Sequence, residues 1–142
     1  MGTPKTWKAV ERRVCRFLGM DRTPLSGGNG RITRADCRTC GPNSPTDLFV
    51  EVKHGGGCPR TWGAAERLFL ATEKLAVLEG KTAVIVLHFK GKADVAQYPA
   101  YMRLPTGNNA AGEVVQVPLS TVKRLLITGH EAIGKEGATP EV

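Results

Sequence analysis

Apolar and polar residues alternate along this chain in two rhythms, one helical and one strand-like, and the rhythms take turns. Trp7, Val10, Val14, Phe17 and Leu18 recur at helical spacing behind Thr3-Pro4, which reads as an N-cap followed by proline in the first turn, and Gly19 stands where a helix should end. Residues 48–53 alternate with the period of a strand. A second helix is predicted over 62–79, with Trp62, Ala65, Leu68, Phe69, Thr72, Leu75 and Ala76 on one face and Gly80 as its stop. Residues 82–89 form a nearly unbroken run rich in branched side chains, the mark of a strand covered on both faces, and Lys90-Gly91-Lys92 closes it. Trp7 and Trp62 read as core anchors.

Weaker patterns fill the gaps. Residues 21–25 suit a short connection or strand and 31–37 suit a strand, separated by the polar, glycine-rich loop 26–30. Beyond residue 95, 101–104 and 114–117 read as a peripheral strand pair, and Ser120 as the cap of a short helix reaching 126. The order of elements predicts a single α/β domain with a central mixed β-sheet flanked by helices, spanning 1–133, with 134–142 as a flexible tail.

Composition sharpens this picture mainly through charge. No apolar run approaches a membrane span and the amino terminus lacks a signal-peptide core, so a soluble cytoplasmic protein is expected, of a prokaryote or a phage-infected cell. The net charge is +7, and +6 of it falls in the first 34 residues, where eight Lys/Arg face only Glu11 and Asp21. Such a concentration suits a polyanion, most commonly nucleic acid, with a merely solvated basic face as the plain alternative. Aromatic residues are few and not interleaved with the basic ones, which disfavours a single-strand stacking platform and favours phosphate contact. Arg12, Arg13, Arg16, Arg31 and Arg34 are the candidate DNA-binding residues.

The chemistry centres on Glu51 and Lys53, two charges on one face of an otherwise apolar strand. If 31–37 and 48–53 pair antiparallel around the turn-rich 41–46, with Cys40 opposite Asp47, then Asp36 falls opposite Glu51, with Cβ atoms roughly 5 Å apart. Asp47 lies about 13 Å from Glu51 along an extended strand, too far to share an ion. Two carboxylates offer hard oxygen ligands to Mg²⁺, and an adjacent ammonium suits a charge-rich transition state. Glu11 shares the apolar stripe of the first helix, where the plain reading is a boundary glutamate that reaches water. The loop from Ser26 lacks the Gly-Lys-Ser/Thr of a P-loop and the setting of a dinucleotide fingerprint.

A rival constellation overlaps this one. Cys37-x2-Cys40, with His54 and Cys58 downstream, has ligand types and spacings compatible with structural zinc, and ordinary loop thiols are the plain alternative. Without a secretion signal, the four cysteines are expected as thiols or ligands rather than disulfides. His88 reads as a hydrogen-bonded core histidine.

Ala35-Asp36 followed by Glu51-Val52-Lys53 resembles the PD-(D/E)XK nuclease motif, with alanine where that superfamily often has proline. Residues 4–90 more specifically resemble the archaeal-type and phage Holliday junction resolvases, in which a helix bearing an active-site glutamate, a Ser/Gly loop, the Asp strand, the E-x-K strand, a long helix and an apolar strand follow in this order. The resemblance implies a restriction-endonuclease-like fold and a homodimer that cuts opposing strands of a four-way junction. It implies Asp36, Glu51 and Glu11 as ligands of Mg²⁺ (Mn²⁺ substituting), Lys53 as the catalytic lysine, and Ser26 as a catalytic-loop residue near the scissile phosphate. A related nuclease acting on ends, flaps or nicks, and a non-catalytic, zinc-braced DNA-binding module, are the alternatives. The 37–45 loop and everything past 95 lie outside the resemblance.

Overall fold

The computed structural model describes residues 6–24, 33–106 and 112–128. Its first helix (α1, Trp7–Phe17) starts at Thr6, whose side-chain oxygen accepts the Ala9 N–H at 3.1 Å. The cap expected at Thr3-Pro4 lies outside the described residues. Thr6 supplies the same chemistry three positions later, satisfying an N–H that the helix cannot pair internally. Leu18 closes α1, and Gly19 follows with φ 79°, a left-handed turn that glycine adopts without steric cost.

Two short strands, β1 (Asp21–Arg22) and β2 (Cys37–Arg38), pair antiparallel with each other. This corrects the expected strand over 31–37 that would pair with 48–53. The described part of that segment, from Thr33 to Asp36, bends instead. The Thr33 hydroxyl oxygen accepts the Ala35 N–H at 3.1 Å, a local side-chain bond that competes with a strand ladder. The Asp36 carbonyl is taken by the Thr23 N–H, which draws β2 toward β1.

The main sheet has four strands in the order β3 (Leu48–His54), β4 (Thr82–His88), β5 (Pro99–Arg103), β6 (Val114–Pro118). β3 and β4 run parallel, and the remaining neighbours are antiparallel, so the sheet is mixed. The parallel pair is joined through α2 (Trp62–Leu78), a crossover helix of the kind such a pair requires. The strand pair expected past residue 95 is present as β5 and β6, with β6 at the far edge of the sheet. β5 lies between β4 and β6, because β4, buried from Ala83 through His88, needs partners on both edges.

The core splits by strand parity. Phe49, Ile85 and Leu87 face α2 and pack with Ala65 and Phe69. Val50, Val52, Val84 and Val86 face the other way, onto α1 and a short helix α3 (Leu119–Lys123) that a π-helical turn extends to Thr128. α3 begins at Leu119 behind Pro118, one residue before the expected cap at Ser120. Neither tryptophan is a core anchor: Trp7 is 43 % and Trp62 49 % exposed. Each is the first residue of its helix, at the rim of the core rather than within it. No helix among the described residues is long and apolar enough to cross a membrane.

Cys15 of α1 and Cys37 of β2 form a disulfide with a Cα–Cα distance of 5.4 Å, correcting the expectation of four thiols or ligands. Both residues are fully buried where α1 crosses β2, so the two sulfurs meet inside the core. The bridge closes a loop of 22-residue separation, worth about 3 kcal/mol by chain entropy. Reduction, or Cys15→Ser, is therefore expected to lower the melting temperature by roughly 10 °C. Thermal melts with and without dithiothreitol read this directly; a Cys15→Ser protein that remains reductant-sensitive would refute the assignment.

Candidate functional site

β3 is an edge strand of the main sheet, so one side of its backbone has no ladder partner there. Asp36 fills that edge twice. Its N–H donates to the Val50 carbonyl at 2.8 Å, and its Oδ2 accepts the Val52 N–H at 2.7 Å. Glu51 lies between those two positions, which brings Asp36 and Glu51 together as expected, by one bridging residue rather than a ladder.

Alternation places Glu51 and Lys53 on the side of β3 that carries Phe49, and their side chains pair at 3.3 Å, both only partly exposed. Glu11 comes from the opposite side, on α1. It sits one turn before Cys15, whose disulfide reaches the residue next to Asp36. Glu11 is buried rather than reaching water, and its Oε1 accepts from Arg22 Nε at 2.8 Å. The Arg22 guanidinium in turn lies over the Trp7 ring at 5.3 Å. Arg22 and its partnership with Glu11 were not foreseen.

These charges converge on Asp36. Burial first, and then the Glu51 carboxylate, push its carboxyl up to about 7 from an ordinary 3.8. The Val52 N–H opposes that rise, Glu11 adds to it, and Lys53 offsets part of it. A partly buried carboxyl crowded by two others is an environment that a divalent cation would relieve.

A second group holds the Asp36 segment in place. Glu79, at the C-terminal cap of α2, accepts a hydrogen bond from the Thr33 hydroxyl and another from the Arg34 N–H at 2.9 Å, and pairs with Lys81 at 3.3 Å. Burial pushes its carboxyl up, but Arg34, Thr33 and Lys81 together outweigh that and hold it below the ordinary range. An acid at a helix C-terminus opposes the macrodipole, and that misplacement was the available signal that something else holds Glu79.

The remaining predicted residues are scattered. Ser26 and Arg31 lie outside the described residues. Arg12, Arg16 and Arg34 are exposed, whereas Arg13 is partly buried and donates to the Ala93 carbonyl at 2.8 Å. The zinc set is not brought together. Cys37 is bonded to Cys15, Cys40 is exposed near the Gly19 carbonyl, and the Cys58 thiol contacts the His88 carbonyl at 3.5 Å. His54 instead stacks on His88, Nδ1 to Nδ1 at 2.8 Å, and His88 Nε2 lies 2.9 Å from the Lys92 carbonyl. A carbonyl only accepts, so Nε2 of His88 carries the proton and His54 donates to its Nδ1. Burial lowers the His88 pKa, in keeping with its reading as a hydrogen-bonded core residue.

Among the described residues, no group of three or more His, Cys, Asp or Glu is assembled to hold a metal. The Asp36 and Glu51 carboxylates are of the hard-oxygen type that Mg²⁺ takes, an ion that keeps several waters and needs few protein ligands. No protein-family model, curated protein or solved structure matches the chain.

Two expectations follow from this geometry. Because folding raises the Asp36 pKa, the folded state binds that proton more tightly than the unfolded chain does. The contribution is therefore fully present below about pH 4 and is lost as pH rises through about 7. At about 1.4 kcal/mol per unit, the metal-free protein loses a few kcal/mol over that window. Asp36→Asn, which keeps an acceptor for the Val52 N–H, should flatten the pH dependence, and Mg²⁺ should restore stability at pH 8 in the native protein but not in the variant. Urea titrations at pH 4 and pH 8, with EDTA or Mg²⁺, measure both effects. Separately, Glu79→Ala should cost about 2 kcal/mol, since it strands the Thr33 and Arg34 donors, whereas Glu79→Gln should cost less. Equal losses in the two variants would show that the hydrogen bonds are not what Glu79 contributes.

Proposed function

We propose that this protein is a divalent-metal-dependent, structure-selective DNA endonuclease of restriction-endonuclease-like fold, acting on four-way junctions as a resolvase. The observation that carries the reading is the placement of the partly buried Asp36 on the β3 edge, hydrogen-bonded on both sides of Glu51, which in turn pairs with Lys53. Asp36 and Glu51 hold the cation. When bound, the cation supplies an activated water and offsets charge on the scissile phosphate. Lys53, held beside Glu51, orients the attacking water or stabilises the charge that builds on the phosphate. Glu11, paired with Arg22, acts on the site through its charge, as an accessory acid. Arg12, Arg16 and Arg34 offer exposed cations to the DNA backbone.

Cutting opposing strands calls for two active sites, hence a homodimer. The reaction belongs to the cytoplasm, where burial of Cys15 and Cys37 shields their bridge from reductants. Zinc has no part in this reading, because Cys37 is engaged with Cys15.

Labelled four-way junction, flap and linear duplex DNA should be incubated with Mg²⁺ or EDTA, beside Glu51→Ala and Lys53→Ala. Paired cuts in the junction, dependent on Mg²⁺ and reduced at least 100-fold in either variant, are expected. Binding with no metal-dependent cutting rejects the enzyme, and cutting confined to flaps or ends moves the substrate to that class. Full activity in Glu51→Ala rejects the site.

A further inference from the structure

One strand over from Lys53, on the α2-facing side of the sheet, lies a pocket of about 340 Å³ whose walls include Trp62, Tyr101, Phe89 and Leu87, with Arg60 and Gln116 among its polar residues. Its position is fixed by the sheet. Leu87 is the register partner of Lys53 in the β3–β4 ladder and belongs to the same α2-facing layer. Adjacent strands are about 4.8 Å apart, so the pocket begins one strand spacing from the lysine. Tyr101 lies on β5 in the neighbouring row, opposite Ile85 and two residues off Leu87 along β4, with Gln116 opposite it on β6.

The composition of the walls is specific. Trp62 leaves 49 % of its surface to solvent, and its ring is set by Tyr101, centroid to centroid 5.6 Å at a tilt of 49°. A large ring braced by a second aromatic and left half open presents a stacking surface at little entropic cost. Arg60 and Gln116 are exposed, and they bring a cation and an amide that can both donate and accept. The volume sits near the lower end of the ligand-pocket range of roughly 300–1,000 Å³, the scale of one ring system rather than a duplex end. In a chain of net charge +7, a planar, hydrogen-bonding group attached to phosphate is the complementary occupant.

We propose that this pocket takes one unpaired nucleobase, stacked on Trp62, next to the phosphate presented to Lys53. The proposal rests on the nuclease reading of that site and adds to it the feature by which DNA is chosen. Bases within a paired duplex are stacked on each other and cannot enter, whereas a base freed at a branch, bulge or flap can. One aromatic pocket is not the multi-base platform that the sparse aromatics argue against. It holds a single nucleotide and leaves the rest of the contact to phosphate.

The test uses the full-length protein in EDTA and three DNAs of the same sequence: fully paired, with one unpaired nucleotide, and with that nucleotide made abasic. Fluorescence anisotropy should give roughly 10-fold tighter binding to the unpaired base than to its abasic counterpart. Trp62→Ala should erase that difference while leaving the abasic and paired affinities unchanged, and Trp62→Phe should keep part of it. Equal binding of base and abasic DNA by the native protein overturns the proposal, as does a Trp62→Ala loss shared equally by all three DNAs. Adding Mg²⁺ to the same samples, and to the four-way junction alongside them, separates the two readings. A base preference without cutting leaves a DNA-binding pocket and retires the nuclease, while cutting without a base preference retires the pocket alone.

Discussion

The two hydrogen bonds from Asp36 to the outer edge of β3 are the constraint on which the rest of this structure depends. An edge strand has to be covered, and one residue covers it with both its backbone and its side chain. Around that residue the fold adds a support from each direction. The disulfide at Cys37 ties the next position to α1, Glu79 holds the preceding turn from the end of α2, and Thr23 takes the carbonyl from β1. A side chain needed only to close an edge would not require such bracing, and an asparagine would close it without charge. The carboxylate is retained although burial and two neighbouring acids make its ionised form costly. Sites that conflict with their own stability in this way are where function tends to reside.

Much of the scaffold was legible in the order of the residues, because it follows from local periodicity. The extents of α2, β3 and β4 agree with the hydrophobic pattern to within a residue or two at each end, since their buried faces span several turns or strand repeats. The approach of Asp36 to Glu51 was legible too, but through an incorrect route. A ladder over 31–37 accounts for the pattern, yet periodicity cannot register that the Thr33 hydroxyl folds the chain back on itself or that a carboxylate substitutes for a backbone acceptor. The disulfide was hidden for a related reason. Whether two cysteines meet depends on how α1 crosses β2, a tertiary fact that spacing does not contain.

The tryptophans show the same limit from the other direction. Both fall on apolar stripes, and both begin their helices, so each stripe runs out to the rim of the core. Phe69, two turns into α2, does the anchoring that Trp62 was expected to do. Each exposed ring then meets polar partners that periodicity cannot supply: Arg22 and Lys8 at Trp7, and the Arg60 and Gln116 pocket at Trp62.

Arg22 decides how Glu11 should be understood. A buried carboxylate bound at 2.8 Å by a guanidinium is neutralised locally, and pulling it onto a cation would leave Arg22 partly buried and without its ion pair. Breaking such a pair costs more than forming it gains, so Glu11 stays with Arg22 while its field still reaches Asp36. Glu51 differs, because its partner Lys53 is partly exposed and can turn to another anion when a cation takes the carboxylate. The two glutamates thus have unequal freedom, and the difference comes from their partners rather than from their distance along the chain. A phosphate arriving at this edge would find Lys53 available and Arg22 committed.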